Sequence, residues 1–99
     1  MGARSMLEVR KTERFLADVE GIVVFVARDN VQAALDFEAL LHSQTDQLTD
    51  PNFPRRRGRI PGTWELVAHP NYVVVLHQTP AAVTALAVLH VARQFPPAR

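Results

Sequence analysis

The chain of 99 residues contains no cysteine, which excludes disulfide bonds and thiolate metal sites as sources of stability. A domain of this size buries only a modest share of its surface, and a bound partner is one way to make up the deficit. Its longest apolar run, residues 21–27, is far shorter than the ~20 residues of a membrane-spanning helix. No apolar segment typical of a secretory signal follows the N-terminus. We therefore expect one cytoplasmic domain covering residues 1–99.

Sequence motifs of several enzyme classes are also absent. The chain has no HExxH motif, no closely spaced set of His, Asp and Glu, no GxSxG motif and no glycine-rich phosphate loop. Of the four histidines, His42 falls in a predicted helix and His69 in a predicted turn, and we interpret both as surface residues. We expect neither a metal nor a cofactor.

The net charge of +1 conceals a strong asymmetry between the two halves of the chain. Residues 1–50 carry five cationic and nine anionic side chains, a net charge of −4, whereas residues 51–99 carry six arginines against Glu65 alone, a net charge of +5. Four of these arginines fall within residues 55–59. A basic half favours an acidic partner, either nucleic acid or an acidic protein segment. The alternative is a solvated loop that keeps the protein soluble.

Helical periodicity and capping residues predict two helices after a short first strand at residues 7–11. Thr12 can cap a first helix whose apolar face includes Phe15 and Val19. The β-branched run in residues 22–27 leaves a strand there as the alternative. Asp29 and Asn30 are both suitable caps for a second helix, and Asp29 with Gln32 fits a capping box. This helix completes an αα-hairpin.

Turn residues divide the second half of the chain into a loop and three strands. Proline and glycine mark residues 50–62 as a loop, and strands are predicted at residues 63–68, 72–78 and 83–92. The order β-α-α-β-β-β predicts an α+β domain, an antiparallel meander with an N-terminal αα-hairpin on one face of a four-stranded sheet.

Two of the predicted strands contain continuous apolar runs, at residues 72–76 and 85–89. Such runs are typical of strands buried on both faces, whereas a strand with one wet face alternates. Two helices of ~10 Å diameter cover only one face of a four-stranded sheet about 19 Å wide. We therefore expect an uncovered apolar face that binds a partner. The alternatives are that the long loop covers this face or that it forms a homodimer.

The order of motifs in residues 58–96 resembles one particular family. The chain reads Pro61-Gly62-Thr63-Trp64-Glu65, then a valine run after Tyr72, then His90-x-x-Arg93 and a closing Phe95-Pro96. This series resembles the C-terminal half of the ParE branch of the RelE/ParE toxins of bacterial type II toxin-antitoxin pairs. With the two helices ahead of it, the resemblance covers nearly the whole chain and supports the predicted fold.

The resemblance implies a toxin neutralised by a cognate antitoxin, whose C-terminal segment wraps around it. The ParE branch acts by binding DNA gyrase and stalling its DNA cleavage complex, which requires no active site. The RelE branch cleaves messenger RNA on the ribosome, using several cations and a general base. The predicted central strands carry no lysine or arginine, which argues against such cleavage. A RelE-like ribonuclease is therefore kept only as the first alternative. A non-toxic antitoxin-binding relative is the second.

The residues predicted to contact the antitoxin or the target come from the basic half and the family motifs. Where the family commonly has an arginine this chain has Trp64, a possible interface anchor, and Leu76 and His77 stand where it commonly has a tyrosine and an arginine. Arg93 could bind a phosphate or a carboxylate in a bidentate manner. His90 is interpreted as structural, donating to a carbonyl. The predicted contact residues are Arg55, Arg57, Arg59, Trp64, Glu65, Tyr72, Leu76, His90, Arg93 and Phe95.

Overall fold

The computed structural model describes residues 6–92. Within this range the elements are β1 Glu8–Lys11, α1 Glu13–Ala27, α2 Val31–Asp46, a 3-10 turn Gln47–Thr49, β2 Arg56–Arg57, β3 Trp64–His69, β4 Tyr72–Gln78 and β5 Ala82–His90. The predicted α+β class and the order of its elements are confirmed. Neither helix is long and apolar enough to cross a membrane in the part of the chain described.

Both helices begin at polar caps. The hydroxyl of Thr12 accepts a hydrogen bond from the backbone N–H of Phe15 at 3.0 Å, as predicted. The second helix is capped by Asn30, whose Oδ1 accepts from the N–H of Ala33 at 2.9 Å. Of the two predicted caps, Asn30 is the one in use, because it takes the extended conformation that a cap requires. The capping box predicted from Asp29 is wrong. Helix α1 continues to Ala27, so the alternative strand at residues 22–27 is excluded.

The sheet has five strands in the order β1-β5-β4-β3-β2. The meander β3-β4-β5 is antiparallel as predicted, and β1 pairs in parallel with residues 82–85 of β5. The fifth strand, β2, lies in the segment predicted to be a loop. Its two residues pair with the start of β3, Arg56 opposite Glu65 and Arg57 opposite Trp64. Two adjacent arginines have no apolar alternation, so the sequence gives no local signal for this strand.

The core lies between the helices and one face of the sheet. Phe15 and Leu41 are fully buried there, and Ile22 and Leu86 are half-buried. The buried apolar residues of this cluster are Leu7, Phe15, Val19, Phe37, Leu41, Leu48, Leu66, Ala68, Val74, Leu76, Val83, Ala85 and Val88.

On the face of the sheet opposite the helices, the apolar side chains of the central strand β4 are buried. Because successive side chains alternate, Val73 and Val75 of β4 lie on this face, and their exposures are 0% and 4%. In the cross-strand row, Val73 lies between Val67 and Leu89. The prediction that β4 is buried on both faces is confirmed. The prediction of an uncovered apolar face is wrong at this strand, although Val67 is 51% exposed.

The first strand and the residue before it are bonded to the end of α2 and to the 3-10 turn that follows it. The N–H of Leu7 donates to the carbonyl of Thr49 at 2.8 Å, and the Thr49 hydroxyl donates back to the Leu7 carbonyl at 2.7 Å. The Lys11 ammonium lies 2.9 Å from both Asp46 and Nδ1 of His42. His42 is therefore half-buried and bonded, and the interpretation of it as a plain surface residue is wrong.

Candidate partner-binding sites

A groove of about 840 Å³ lies between α1 and the C-terminal end of β5. Helix α1 lines it with Arg14, Ala17, Asp18, Gly21, Ile22 and Phe25. The opposite wall is formed by Tyr72, Val88, Leu89 and His90. Apart from its charged residues near one end, this lining is mainly apolar.

The groove exists because small residues of α1 meet an incompletely covered strand. Because Ala17 has a small side chain and Gly21 has none, space remains between α1 and β5. A Cβ placed on Gly21 would meet no atom within 4 Å. Strand β1 pairs only with residues 82–85, so within residues 6–92 no strand pairs with the outer side of the remainder of β5. Phe25 lies in the groove with 65% of its surface exposed, which makes this an apolar surface suited to a partner.

Asp18 fixes the polar end of this groove. Its Oδ2 accepts a hydrogen bond from the backbone N–H of Val88 at 2.9 Å. That N–H lies beyond the end of the β1 pairing, so a side chain takes the place of a neighbouring strand. The same carboxylate pairs with Arg14 at 3.0 Å, one helical turn earlier. Asp18 therefore anchors α1 to the part of β5 that β1 leaves uncovered.

An aromatic cluster closes the opposite side of the groove. The Tyr72 ring meets His90 at 4.8 Å and Phe37 at 5.1 Å, both edge to face, and lies 5.7 Å from His69. His69 is half-buried in this cluster rather than a plain surface residue, contrary to the prediction. Nδ1 of His90 accepts from the N–H of Ala92 at 3.0 Å. The predicted structural role of His90 agrees with this contact, but the bond runs from the backbone to the ring.

The second candidate surface lies at the opposite edge of the sheet. We call residues 55–65, which contain β2, a turn and the start of β3, the basic hairpin. The turn is closed by the N–H of Gly58 donating to the carbonyl of Thr63 at 2.9 Å. Gly62 has φ of 83°, a left-handed conformation that glycine adopts without steric cost.

A buried carboxylate holds the basic hairpin together. Glu65 is 2% exposed and accepts from the Arg59 side chain at 2.7 Å, from the Arg59 backbone N–H at 3.0 Å and from Arg56 at 3.2 Å. Burial is the largest single influence and raises the pKa of Glu65. The hydrogen bonds from Arg59 and Arg56 together outweigh it, so the pKa of Glu65 lies below its ordinary value. Glu65 thus positions two arginines and presents almost no surface of its own.

Arg55 and Trp64 are more structural than the sequence predicts. The Arg55 guanidinium donates to the carbonyls of Phe53 and Asp50 at 2.9 and 2.7 Å and to Gln78 at 3.0 Å. Burial lowers the pKa of this guanidinium. Trp64 is half-buried against the core, and the Arg57 guanidinium lies 5.3 Å from its ring centroid.

The remaining predicted contact residues separate into three groups. Leu76 is fully buried in the helix-facing core, so it presents no surface to a partner in this structure. Arg93 and Phe95 lie outside the described residues. Arg57 and Arg59 belong to the basic hairpin, whereas Tyr72 and His90 line the groove, two and three strand intervals from β2. The predicted set therefore falls on two separate surfaces.

The sequence interpretation missed the α1 wall of the groove. Ala17, Gly21 and Phe25 recur at a spacing of four residues, which places two small residues and one large apolar residue on one helical face. This pattern of two small residues and one aromatic residue was the sequence signal that could have predicted the groove. Among residues 6–92, no group of three or more His, Cys, Asp or Glu side chains is arranged to hold a metal ion.

The structure is thus a small α+β domain with an apolar groove beside the end of β5 and a basic hairpin at the opposite edge of its sheet. Residues 9–95 match the family described as the ParE toxin of the type II toxin-antitoxin system, parDE. The chain therefore belongs to the ParE toxin family, as its motifs predicted. No curated protein matches the sequence.

Among solved structures, a chain of the chromosomal ParDE TA system from P. aeruginosa is similar. The TM-score is 0.75 at 17% sequence identity, and the match covers 87% of this chain and 97% of that chain. At this identity the similarity concerns the fold.

Proposed function

We propose that this protein is a toxin that binds a cognate antitoxin and acts in the cytoplasm by binding and inhibiting DNA gyrase. The observation that carries the proposal is its membership of the ParE toxin family across residues 9–95. The similar solved chain comes from a ParDE toxin-antitoxin system, which supports an antitoxin as partner.

The groove is the proposed antitoxin site. Its volume of about 840 Å³ admits several side chains, and its mainly apolar lining suits a segment with apolar anchors. Phe25, at 65% exposure, would lose much contact with water when a partner covers it. Arg14 and Asp18 at the polar end would fix the orientation of the segment.

Binding, rather than cleavage of RNA, is the proposed mode of toxicity. Strands β4 and β5 contain no lysine or arginine that could stabilise phosphate charge on the sheet. The single tyrosine, Tyr72, is held in the aromatic cluster by Phe37 and two histidines. A ribosome-dependent ribonuclease and a non-toxic antitoxin-binding protein are the alternative functions.

A gyrase assay tests the proposed target. Purified protein is incubated with gyrase, ATP and relaxed plasmid, and the products are separated after detergent and protease treatment. We expect inhibited supercoiling and accumulation of linear plasmid. Unchanged gyrase activity, together with transcripts cut within ribosome-bound codons in expressing cells, would favour the ribonuclease. Normal growth of expressing cells, with antitoxin binding retained, would favour the non-toxic alternative.

A pair of matched variants tests the groove. Gly21→Leu fills it from α1, whereas Ala39→Leu adds a similar apolar side chain at an exposed position of α2. Each variant is co-expressed with the product of the neighbouring reading frame, and the affinity of the purified pair is measured. We expect Gly21→Leu to weaken binding at least tenfold and Ala39→Leu to leave it unchanged. Equal affinities would exclude the groove, and no binding by the parent would exclude that partner.

A further inference from the structure

We infer that the basic hairpin contacts the phosphate backbone of duplex DNA, a binding activity beyond the proposed antitoxin and gyrase contacts. The inference rests on the number of uncompensated charges in residues 55–65, on their arrangement around a two-stranded edge and on the rigidity of the side chains. None of these observations depends on the antitoxin site.

Besides Arg55, whose guanidinium is engaged by neutral acceptors, the basic hairpin carries about two uncompensated positive charges. The Arg55 guanidinium is occupied by hydrogen bonds to two carbonyls of its own loop and to Gln78 at the end of β4. Arg56 and Arg59 share the single negative charge of Glu65, which leaves one positive charge between them. Arg57 adds another, and it has no ion pair within the described part of the chain. The Arg56 side chain remains 55% exposed despite its contact with Glu65, so it can reach a second anion.

These charges lie on both sides of the sheet edge. Arg56 contacts Glu65 on one face, whereas Arg57 lies over the Trp64 ring on the other face. Side chains at neighbouring positions of a strand point to opposite faces, which accounts for this division. The β2 edge of the five-stranded sheet therefore carries a guanidinium on each face.

This two-sided arrangement fits a DNA groove better than an acidic peptide. The major groove is about 12 Å wide, admits a two-stranded β-ribbon and has phosphates along both walls. An extended acidic peptide would lie against one face of the hairpin and would meet the cations of that face only. Duplex DNA is thus the partner that uses Arg56 and Arg57 together.

The side chains of the hairpin are held in place before any ligand arrives. The buried carboxylate of Glu65 fixes Arg56 and Arg59, and the Trp64 ring supports Arg57 at 5.3 Å. Arginine binds phosphate through a planar fork, and little conformational entropy is lost when that fork is already restrained. The hairpin lies three strand intervals from β5, about 14 Å at ~4.8 Å per strand, so DNA and the antitoxin could be bound together.

The salt dependence of DNA binding tests the inference. A fluorescein-labelled duplex of random sequence is titrated with the purified protein at 50, 100 and 200 mM NaCl, and anisotropy gives the affinity. Each phosphate contact contributes about −0.9 to the slope of log affinity against log salt. We expect Arg57→Gln to make this slope shallower by about 0.9 and to weaken binding roughly tenfold at 50 mM salt. Arg56→Gln should have a similar effect.

Two variants control for charge and for fold. Arg57→Lys removes the planar guanidinium from the Trp64 ring, as Arg57→Gln does, but retains the positive charge, so its slope should remain close to that of the parent. Arg28→Gln removes an exposed arginine at the end of α1 and should leave the slope unchanged. Equal slopes for Arg57→Gln and Arg28→Gln, or no binding of the duplex at 50 mM salt, would overturn the inference. Binding of a polyglutamate peptide at the hairpin, with none of DNA, would also overturn it.

Discussion

Beside the part of β5 that β1 leaves uncovered, the proposed antitoxin site depends on side chains that are small, whereas at the β2 edge the proposed DNA contact depends on charges arranged around one carboxylate. The groove owes its volume to the small residues Ala17 and Gly21, and a Cβ added at Gly21 would meet no atom within 4 Å. The basic hairpin owes its shape to Glu65, which is 2% exposed and makes contacts with two arginines. The first surface is therefore sensitive to added volume and the second to lost charge.

Replacing Glu65 should have the largest effect on stability. In Glu65→Gln the carboxylate charge is lost, and the amide N–H groups face the guanidinium groups of Arg56 and Arg59. Removing one partner of a buried ion pair lowers the free energy of unfolding by about 3–5 kcal/mol. Because both arginines are partly exposed, we expect about 2–3 kcal/mol here. Urea denaturation measures the change. Glu8→Gln is the control, since its pair with Arg10 is exposed on both sides, and it should not alter the midpoint.

The contribution of Glu65 should disappear in acid. Its pKa in the folded protein is below the ordinary value of about 4.3, so its stabilisation is complete above that pH. It is lost as the pH falls through the lowered pKa of the folded state. The difference in unfolding free energy between the parent and Glu65→Gln should therefore be constant from pH 7 to 5 and shrink below about pH 4. A difference that persists undiminished at pH 2.5 would contradict the role given to the charge.

Removing Asp18 should have an intermediate effect at the opposite edge. Asp18→Ala leaves the N–H of Val88 without its acceptor, which costs about 1–2 kcal/mol in a partly buried setting. Arg14→Ala is the matched control, because it removes only the ion pair of a side chain that is 70% exposed. Chemical denaturation of both variants should show a clear loss for the first and almost none for the second. Equal losses would mean that the ion pair, not the backbone contact, anchors α1.

The smallest expected effect is a gain in stability. Gly21→Ala should stabilise the protein by about 0.5–1 kcal/mol, because alanine is the better helix former and its Cβ meets no atom within 4 Å. The same methyl group narrows the groove, so antitoxin affinity should fall modestly while the melting temperature rises. A variant that is more stable and binds the antitoxin with unchanged affinity would show that Gly21 is not part of the antitoxin site.

Local patterns predicted most of this fold. Thr12 and the apolar period after it placed the start of α1, and residues 72–78 matched β4 because a valine run between turn residues is a strong strand signal. Strand β2 could not be predicted, since its two arginines become a strand only through their pairing with Trp64 and Glu65. The parallel pairing of β1 with β5 likewise joins segments about 70 residues apart, and no local pattern specifies it.

The candidate sites were predicted less completely than the fold. The clustered arginines were visible in the sequence, but the occupation of Arg55 by its own loop and the burial of Glu65 required the three-dimensional contacts. The groove was missed because its volume comes from the relation between Gly21 on α1 and the uncovered end of β5. A cavity is a property of two elements together, so the pattern of one element could at most suggest it.

The position of β5 in the chain has a consequence for biosynthesis. This strand is the last of the described elements to be translated, yet it lies between β1 and β4 and is required by both. Before residues 82–90 leave the ribosome, β1 has no partner strand in this sheet, and the core lacks Val83, Ala85 and Val88. Neither wall of the groove can meet the other until then. Nascent chains therefore cannot present the complete groove, and a partner that recognises its two walls together can select only finished molecules.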